Sequence, residues 1–212
     1  MIKFLIVRHG NSVSNIAKTF TGHIDAPLSE IGYKQAQLVS EYIYNNFKVD
    51  KICSSDLTRA VDTIKPLADK LGLEIFKRKD MREMFGGEWE GKLFADLPVY
   101  FENDYKVWQQ TPGLARPTGG ESYAEVQARS LSVINDLYKT DDGKTVVIAT
   151  HGGFIRTLQC AANNVKLVDM NTVPYVVNAS VSIVEYDGKN LDWKDSISDY
   201  LGELQTAMPK GV

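Results

Sequence analysis

The sequence has few cysteines and histidines and no long run of hydrophobic residues. Two cysteines among 212 residues, Cys53 and Cys160, cannot form a disulfide framework, which favours a reducing compartment. With only three histidines beside them, they also exclude a cysteine-rich zinc cluster. The apolar run at residues 2–7 is too short for a membrane span or a signal-peptide core. These absences predict a cytoplasmic protein with no segment in the membrane.

The sequence also lacks an excess of charge of either sign. Lys and Arg number 24 against 27 Asp and Glu, for a net charge of −3. Nucleic acids and anionic membrane surfaces select basic domains, so neither is an expected partner. The length suits one large domain or two small ones, and no linker rich in glycine or serine divides the chain. We predict a single domain over residues 1–212 and leave its oligomeric state open.

Strand-like and helix-like segments alternate along the chain. The strand-like runs lie at residues 2–7, 49–53, 73–76 and 145–149, and a C-terminal hairpin is predicted at 179–186 and 190–193. Helical spacing is found at residues 29–47, 57–71, 121–138 and 153–162, with Ser29 as an N-cap and Gly72 as a stop signal. This alternation predicts an α/β fold, a three-layer sandwich whose mainly parallel sheet is flanked by helices. The polar end of the chain, residues 201–212, is predicted to be frayed.

One segment, residues 84–120, departs from this alternation. It is rich in aromatic residues, among them Trp89 and Trp108, and contains three prolines, Pro98, Pro112 and Pro117. It is either a helical insertion whose aromatic side chains pack on the body of the domain or a lid beside a site. We favour packing and keep the lid-like insertion as well, since the two are compatible and long insertions are often functional.

Two histidines follow strand-like runs at equivalent places. His9 follows the first strand, and His151 follows the strand at residues 145–149. Ligands of open α/β sheets bind at the carboxyl ends of the strands, so these imidazoles meet if the two strands are neighbours. Gly10 follows the first histidine, and Gly152 and Gly153 follow the second. Glycine allows a tight turn and lets backbone N–H groups approach a ligand closely.

Arginines at these corners point to an anionic ligand. Arg59 falls in the first turn of a predicted helix, where the helix dipole disfavours a cation unless an anion is also present. Arg8 precedes His9 directly, and guanidinium groups suit a dianionic phosphate. Glu83, after the third strand, is a candidate proton donor to a leaving oxygen. Structural histidines and a surface Arg82–Glu83 pair are the alternatives. The residues alone favour a phosphate-handling α/β enzyme without specifying its reaction.

Six blocks of sequence between residues 5 and 156 contain these candidate residues: R-H-G at 8–10 with Asn15, D-x-P-L-S at 25–29, S-S-D-L-x-R-A at 54–60, R-E with G-E-W-E-G at 82–91, G-G-E-S at 119–122, and T-H-G-G-x-I-R at 150–156. In their residues and their order, these blocks resemble the motifs of the histidine phosphatase superfamily, in its phosphoglycerate mutase-like branch.

The resemblance implies a role for each matching residue. His9 would be the nucleophile that forms a phosphohistidine, with the Gly10 carbonyl fixing its tautomer. Glu83 would protonate the leaving alcohol and then help to activate water. Arg8, Arg59 and His151 would hold the phosphoryl oxygens. Asn15, His23 or its backbone, and Gly152 would line the same pocket. No metal or cofactor is implied, since the arginines supply the positive charge.

The branch's mutases and phosphatases differ in how they hold a substrate carboxylate. In the mutases an Arg-Arg pair follows a lid tryptophan, whereas Gln109 and Gln110 follow Trp108 here, and Gly86 stands where the mutases have tyrosine. Arg116 is an alternative cation. We therefore predict a metal-independent phosphatase that hydrolyses a small phosphomonoester. The alternatives are a cofactor-dependent phosphoglycerate mutase and a non-catalytic module that binds phosphate esters. The sequence leaves the natural substrate open.

Overall fold

The computed structural model describes residues 1–206 and contains a six-stranded sheet. The strands are β1 (Ile2–Arg8), β2 (Lys51–Ser55), β3 (Ile75–Arg78), β4 (Thr145–Thr150), β5 (Val181–Tyr186) and β6 (Leu191–Ile197). Their order is β3-β2-β4-β1-β5-β6. Strands β1 to β4 pair in parallel, whereas β5 runs antiparallel to both β1 and β6. The prediction of a mainly parallel α/β sheet is confirmed.

Helices cover both faces of the sheet. They are α1 (Val13–Ala17), α2 (Glu30–Asn46), α3 (Thr58–Leu71), α4 (Leu97–Tyr100), α5 (Glu102–Gln110), α6 (Tyr123–Asp141) and α7 (Gly152–Ala162). Successive side chains of β1 point to opposite faces. Leu5 and Val7 share a core with residues of α2 and α3, whereas Phe4 and Ile6 share one with residues of α6 and α7. The apolar run of β1 is therefore buried on both sides, as the middle layer of a sandwich requires.

The predicted ends of the helices and strands agree only in part with those in the structure. The Ser29 hydroxyl accepts the Gly32 N–H at the start of α2, and Gly72 ends α3 with φ of 66°, as predicted. The strands predicted at 49–53 and 73–76 each begin two residues later. The Leu73 N–H completes the end of α3 by donating to the Ala68 carbonyl at 3.0 Å, so it is not available for strand pairing.

The segment at residues 84–120 forms a third core of its own. Trp89, Leu97 and Trp108 are buried there, together with Phe20 and Tyr123 from outside the segment. The predicted packing of its aromatic residues is confirmed, and its action as a lid stays a prediction. No helix within residues 1–206 has the length and apolar character needed to cross a membrane.

The end of the described chain is more ordered than predicted. Residues Asp199–Leu204 form a 3-10 helix in which Leu201 is buried, and the Gln35 side chain donates to the Leu204 carbonyl at 2.7 Å. A fray from residue 201 is therefore wrong for 201–204, because an apolar side chain and a polar partner anchor this turn. The rest of that prediction, over 207–212, lies outside the described residues.

Candidate active site

The two sequence-predicted histidines lie side by side at the edge of the sheet. Strands β1 and β4 are neighbours, with Arg8 opposite Thr150, and the His9 N–H donates to the Thr150 carbonyl at 2.9 Å. The ring centroids of His9 and His151 are 5.1 Å apart. Parallel strands thus bring together two residues that are far apart in sequence, as the pattern predicted.

His9 is a buried, neutral imidazole of defined tautomer. Its Nδ1 lies 2.8 Å from the Gly10 carbonyl oxygen, and since a carbonyl can only accept, Nδ1 carries the proton. Nε2 then keeps a lone pair. Burial, and after it the charges of Arg59 and Arg8, hold the pKa of His9 well below 6.5. The ring therefore stays neutral at neutral pH, in the form that a nucleophile needs.

The loops around His9 hold its backbone in place. The Asn178 side-chain amide donates to the His9 carbonyl at 2.9 Å, and the Thr63 hydroxyl accepts the Gly10 N–H at 2.8 Å. The Ala179 N–H donates to the Arg8 carbonyl at 3.0 Å. Sequence reasoning missed Asn178 and Ala179, and the sequence carries no local signal for them.

His151 is fully buried beside His9, is not among the described residues that line the cavity, and contacts a serine. Its Nε2 is 2.8 Å from the Ser55 hydroxyl, which also accepts the Leu57 N–H at 3.3 Å. Within residues 1–206, Nδ1 is buried without a hydrogen-bond partner. Burial, followed by the charges of Arg59 and His9, holds the pKa of His151 well below 6.5. Ser55 belongs to the S-S-D-L-x-R-A block at residues 54–60, but its contact with His151 was not predicted.

Arg8 and Arg59 line the cavity beside His9 and are both buried. Arg8 Nη1 donates to the Val176 carbonyl at 2.6 Å. Arg59 donates through Nη1 to the Ile24 carbonyl at 2.9 Å and through Nη2 to the Gly22 carbonyl at 2.8 Å. Burial lowers the pKa of Arg59 to about 10, so it remains a cation at neutral pH. Backbone carbonyls thus orient both guanidinium groups without neutralising them.

Glu83 lies in the segment that follows β3, and it faces the same cavity beside the start of α7. Its carboxylate accepts the Gly153 N–H at 3.0 and 3.1 Å and the Met84 N–H at 2.8 Å. A Cβ at Gly153 would lie 2.3 Å from Glu83 Oε1, so any other residue at this position would displace the Glu83 carboxylate. Arg82 does not pair with Glu83, because it makes a two-pronged contact with Asp56 at 2.6 and 2.7 Å. The carboxylate is therefore available to a ligand in the cavity.

A further arginine supports Glu83 from behind. The guanidinium group of Arg129, in α6, donates to the Glu83 carbonyl at 2.9 Å and to the Arg82 carbonyl at 2.6 Å. It also pairs with the Glu121 carboxylate. Sequence reasoning missed Arg129, because a helical arginine looks like any solvated surface cation until the fold places it.

The other residues predicted to bind the ligand, Asn15, His23 and Gly152, differ in their positions relative to the cavity. Asn15 lines the cavity, although its Oδ1 accepts the Ser12 N–H at 3.0 Å. The His23 side chain lies behind Glu83, with Nε2 3.0 Å from the Glu83 carbonyl oxygen, rather than in the cavity wall. Gly152 begins α7, where a Cβ would lie 2.8 Å from the Tyr175 ring, so it provides clearance.

The cavity beside His9 has a volume of about 80 Å³, and its wall consists of three groups of residues. We call Arg8, His9 and Arg59 the cationic end. The aromatic wall comprises Phe20, Phe94, Trp108 and Tyr123, and the polar rim comprises Ser14, Lys18, Thr19 and Thr21. Among residues 1–206, His, Cys, Asp and Glu side chains form no group of three or more that could hold a metal ion. Independence of metal and cofactor stays a prediction.

Comparison with known proteins gives the family. The sequence model of the histidine phosphatase superfamily (branch 1) matches residues 4–196. The chain belongs to this superfamily. Phosphoserine phosphatase 1 of Hydrogenobacter thermophilus is 30% identical to it over 213 residues, which cover 100% of both chains.

Solved structures of the same fold are also similar. Bacillus stearothermophilus YhfR matches with a TM-score of 0.86 and 27% identity, over 91% of this chain and 95% of that one. A mycobacterial glucosyl-3-phosphoglycerate phosphatase matches with a TM-score of 0.80 and 28% identity, also over 91% and 95%. The predicted family is confirmed, and so is the predicted class of activity, that of a phosphatase.

Proposed function

We propose that this chain is a metal-independent phosphatase that hydrolyses small phosphomonoesters through a phosphohistidine at His9. The observation that carries the proposal is the state of that ring. It is neutral, its Nδ1 proton is fixed by the Gly10 carbonyl 2.8 Å away, and it shares a cavity with the buried cations Arg8 and Arg59. A lone pair beside two guanidinium groups is suited to attack a bound phosphoryl group.

The reaction divides into two transfers. In the first, His9 Nε2 attacks phosphorus, the bond to the ester oxygen breaks, and protonated Glu83 gives its proton to that oxygen. In the second, water attacks the phosphohistidine, Glu83 takes a proton from the water, and orthophosphate leaves with His9 neutral again. Arg8 and Arg59 stabilise the charge that develops on the phosphoryl oxygens in both steps. His151 packs against the nucleophile, with its ring centroid 5.1 Å from that of His9.

Two features favour hydrolysis over the mutase alternative. A mutase must hold and reorient a glycerate between two transfers, for which a two-pronged arginine contact with the carboxylate is well suited. Gln109 and Gln110 are exposed and do not line the cavity, and Arg116 donates instead to the Gly120 carbonyl and the Glu125 carboxylate. The phosphatase names of the relatives support the same choice.

The decisive experiment measures release of p-nitrophenol from para-nitrophenyl phosphate in the presence of a chelator. We expect turnover by the wild type and none by His9→Ala, together with an acid-labile phosphoenzyme in the wild type only. Turnover that survives in His9→Ala would remove His9 from its role. Phosphoglycerate mutase activity as fast as hydrolysis would favour the mutase alternative, and tight ester binding without turnover would favour the binding module.

A further inference from the structure

Lys18 stands at the mouth of the cavity in an unusual backbone conformation. It ends α1 with φ of 55° and ψ of 40°, in the left-handed region that residues other than glycine rarely adopt. Its N–H donates to the Asn15 and Ser14 carbonyls, and its own carbonyl accepts the Phe94 N–H at 3.0 Å. Because hydrogen bonds hold it from two directions, the starting point of its side chain at the rim is fixed.

Lys18 differs from the other cations in the cavity wall. Arg8 and Arg59 donate to backbone carbonyls at the phosphoryl end. The Lys18 side chain is exposed, and within residues 1–206 it makes no hydrogen bond or ion pair. An ammonium group without a carboxylate beside it can bind an anion from solution without first breaking another contact.

The rest of the wall supplies no competing charge for that anion. The aromatic wall offers apolar rings, and Thr19 and Thr21 add hydroxyls whose oxygens lie 3.5 Å apart at the rim. Among the described residues that line the wall, Glu83 is the only acidic one, and it lies at the site of the chemistry. The wall thus combines the buried cationic end with one exposed cation, Lys18, which is accessible to the alcohol part of a bound ester.

We propose that Lys18 determines substrate specificity by binding a second anionic group on the alcohol of the phosphomonoester. This inference rests on the proposed function. A carboxylate or a second phosphate has the required charge. Lysine is a point charge on a flexible stem, unlike the rigid fork of an arginine. It attracts the anion without fixing its orientation, which suits an enzyme that releases its alcohol rather than one that returns a phosphoryl group to it.

The test compares three esters of similar size: 2-phosphoglycolate, which carries a carboxylate; ethylene glycol bisphosphate, which carries a second phosphate; and 2-hydroxyethyl phosphate, which carries neither. We expect Lys18→Gln to raise KM about tenfold for one or both anionic esters and to leave kinetics on the neutral ester unchanged, the size expected of one exposed charge-assisted contact. Lys18→Arg should restore most of the loss. The anionic ester whose KM rises in Lys18→Gln shows whether Lys18 binds a carboxylate or a second phosphate.

Lys92→Gln is the matched control. Lys92 lies on the segment hydrogen-bonded to Phe20, outside the cavity wall, with its ammonium 6.0 Å from the Phe101 ring. Lys92→Gln should hydrolyse all three esters with the same KM and kcat as the wild type. Equal effects of Lys18→Gln on charged and neutral esters, or no effect on any, would overturn the assignment of Lys18.

Affinities measured by calorimetry in a His9→Ala background separate this proposal from the proposed function. There the esters bind without turnover, so the loss caused by Lys18→Gln does not depend on the mechanism. Absence of turnover in the wild type would overturn the proposed function alone. A Kd for 2-phosphoglycolate and for the bisphosphate that is insensitive to Lys18→Gln would overturn the role of Lys18 alone.

Discussion

His9 and His151 occupy equivalent corners at the ends of adjacent strands, yet different kinds of group hold their rings. The Nδ1 of His9 meets a backbone carbonyl, which can only accept a hydrogen bond. The Nε2 of His151 meets the Ser55 hydroxyl, which can donate or accept. One ring therefore has its tautomer set by the main chain at its own corner, whereas the other depends on a side chain from a neighbouring strand.

This difference bears on what each ring can do. With its proton fixed on Nδ1, His9 has a lone pair on Nε2 for attack. The Leu57 N–H already donates to the Ser55 oxygen, and we propose that the serine proton points at His151 Nε2. In that arrangement His151 carries its own proton on Nδ1, which is buried and has no hydrogen-bond partner within residues 1–206. We therefore propose that the two neutral histidines divide into a nucleophile and a hydrogen-bond donor to a bound phosphoryl oxygen.

The largest expected effect separates these two roles. His9→Ala should abolish turnover of para-nitrophenyl phosphate, because the proposed reaction requires attack on phosphorus by Nε2 of this ring. His151→Ala should lower kcat by roughly 10²–10³, the loss typical of removing one donor to a developing oxyanion. Steady-state kinetics of both purified variants measure the difference. Equal losses in the two variants, or an unaffected His151→Ala, would contradict the division of roles.

The two histidines also show which contacts of the site can be predicted from the sequence. Local patterns place β1 and β4, and the carboxyl ends of parallel strands share an edge, so the meeting of His9 with His151 was predictable. The contact between Ser55 and His151 was not, because it depends on the register that sets Ser54 of β2 opposite Ala149 of β4. A periodic pattern locates a strand within a few residues but does not fix the register of its pairing.

The supports behind the site were unpredictable for a related reason. Asn178 donates to the His9 carbonyl, and the Tyr200 hydroxyl donates to the Ala179 carbonyl. Arg129 reaches the Glu83 backbone from α6. These are polar side chains whose partners are backbone groups distant in sequence, and only tertiary packing decides which of many such side chains becomes buried against the site.

A smaller effect is expected from the group that orients His151. Ser55→Ala removes the proton donated to Nε2 and should lower kcat about tenfold, the value of one buried hydrogen bond, with little change in KM. Nitrogen NMR of the His151 ring should show a shift of the proton between its two nitrogens. Ser55→Thr should restore both properties.

Ser54→Ala is the matched control for this experiment. Ser54 is as buried as Ser55, but its hydroxyl donates to the Ser55 carbonyl at 2.7 Å rather than to a histidine. It should leave the tautomer of His151 unchanged. A wild-type kcat and an unchanged ring signal in Ser55→Ala would show that His151 is oriented by other contacts.

The smallest effect concerns stability, and here the two histidines should behave alike. Burial is the first cause of the low pKa in both, so each folded ring takes up a proton only well below 6.5, whereas the unfolded chain does so near 6.5. As the pH falls below 6.5, the unfolded state binds more protons and the free energy of unfolding decreases. Each histidine should account for a loss of about 1 kcal/mol between pH 7.0 and 5.5. Urea unfolding at both pH values should show that His9→Gln and His151→Gln each remove a similar part of this loss. If only one variant reduced the pH-dependent loss of stability, burial would not lower the pKa of both rings alike. The two histidines would then differ in their charge at low pH as well as in their tautomers.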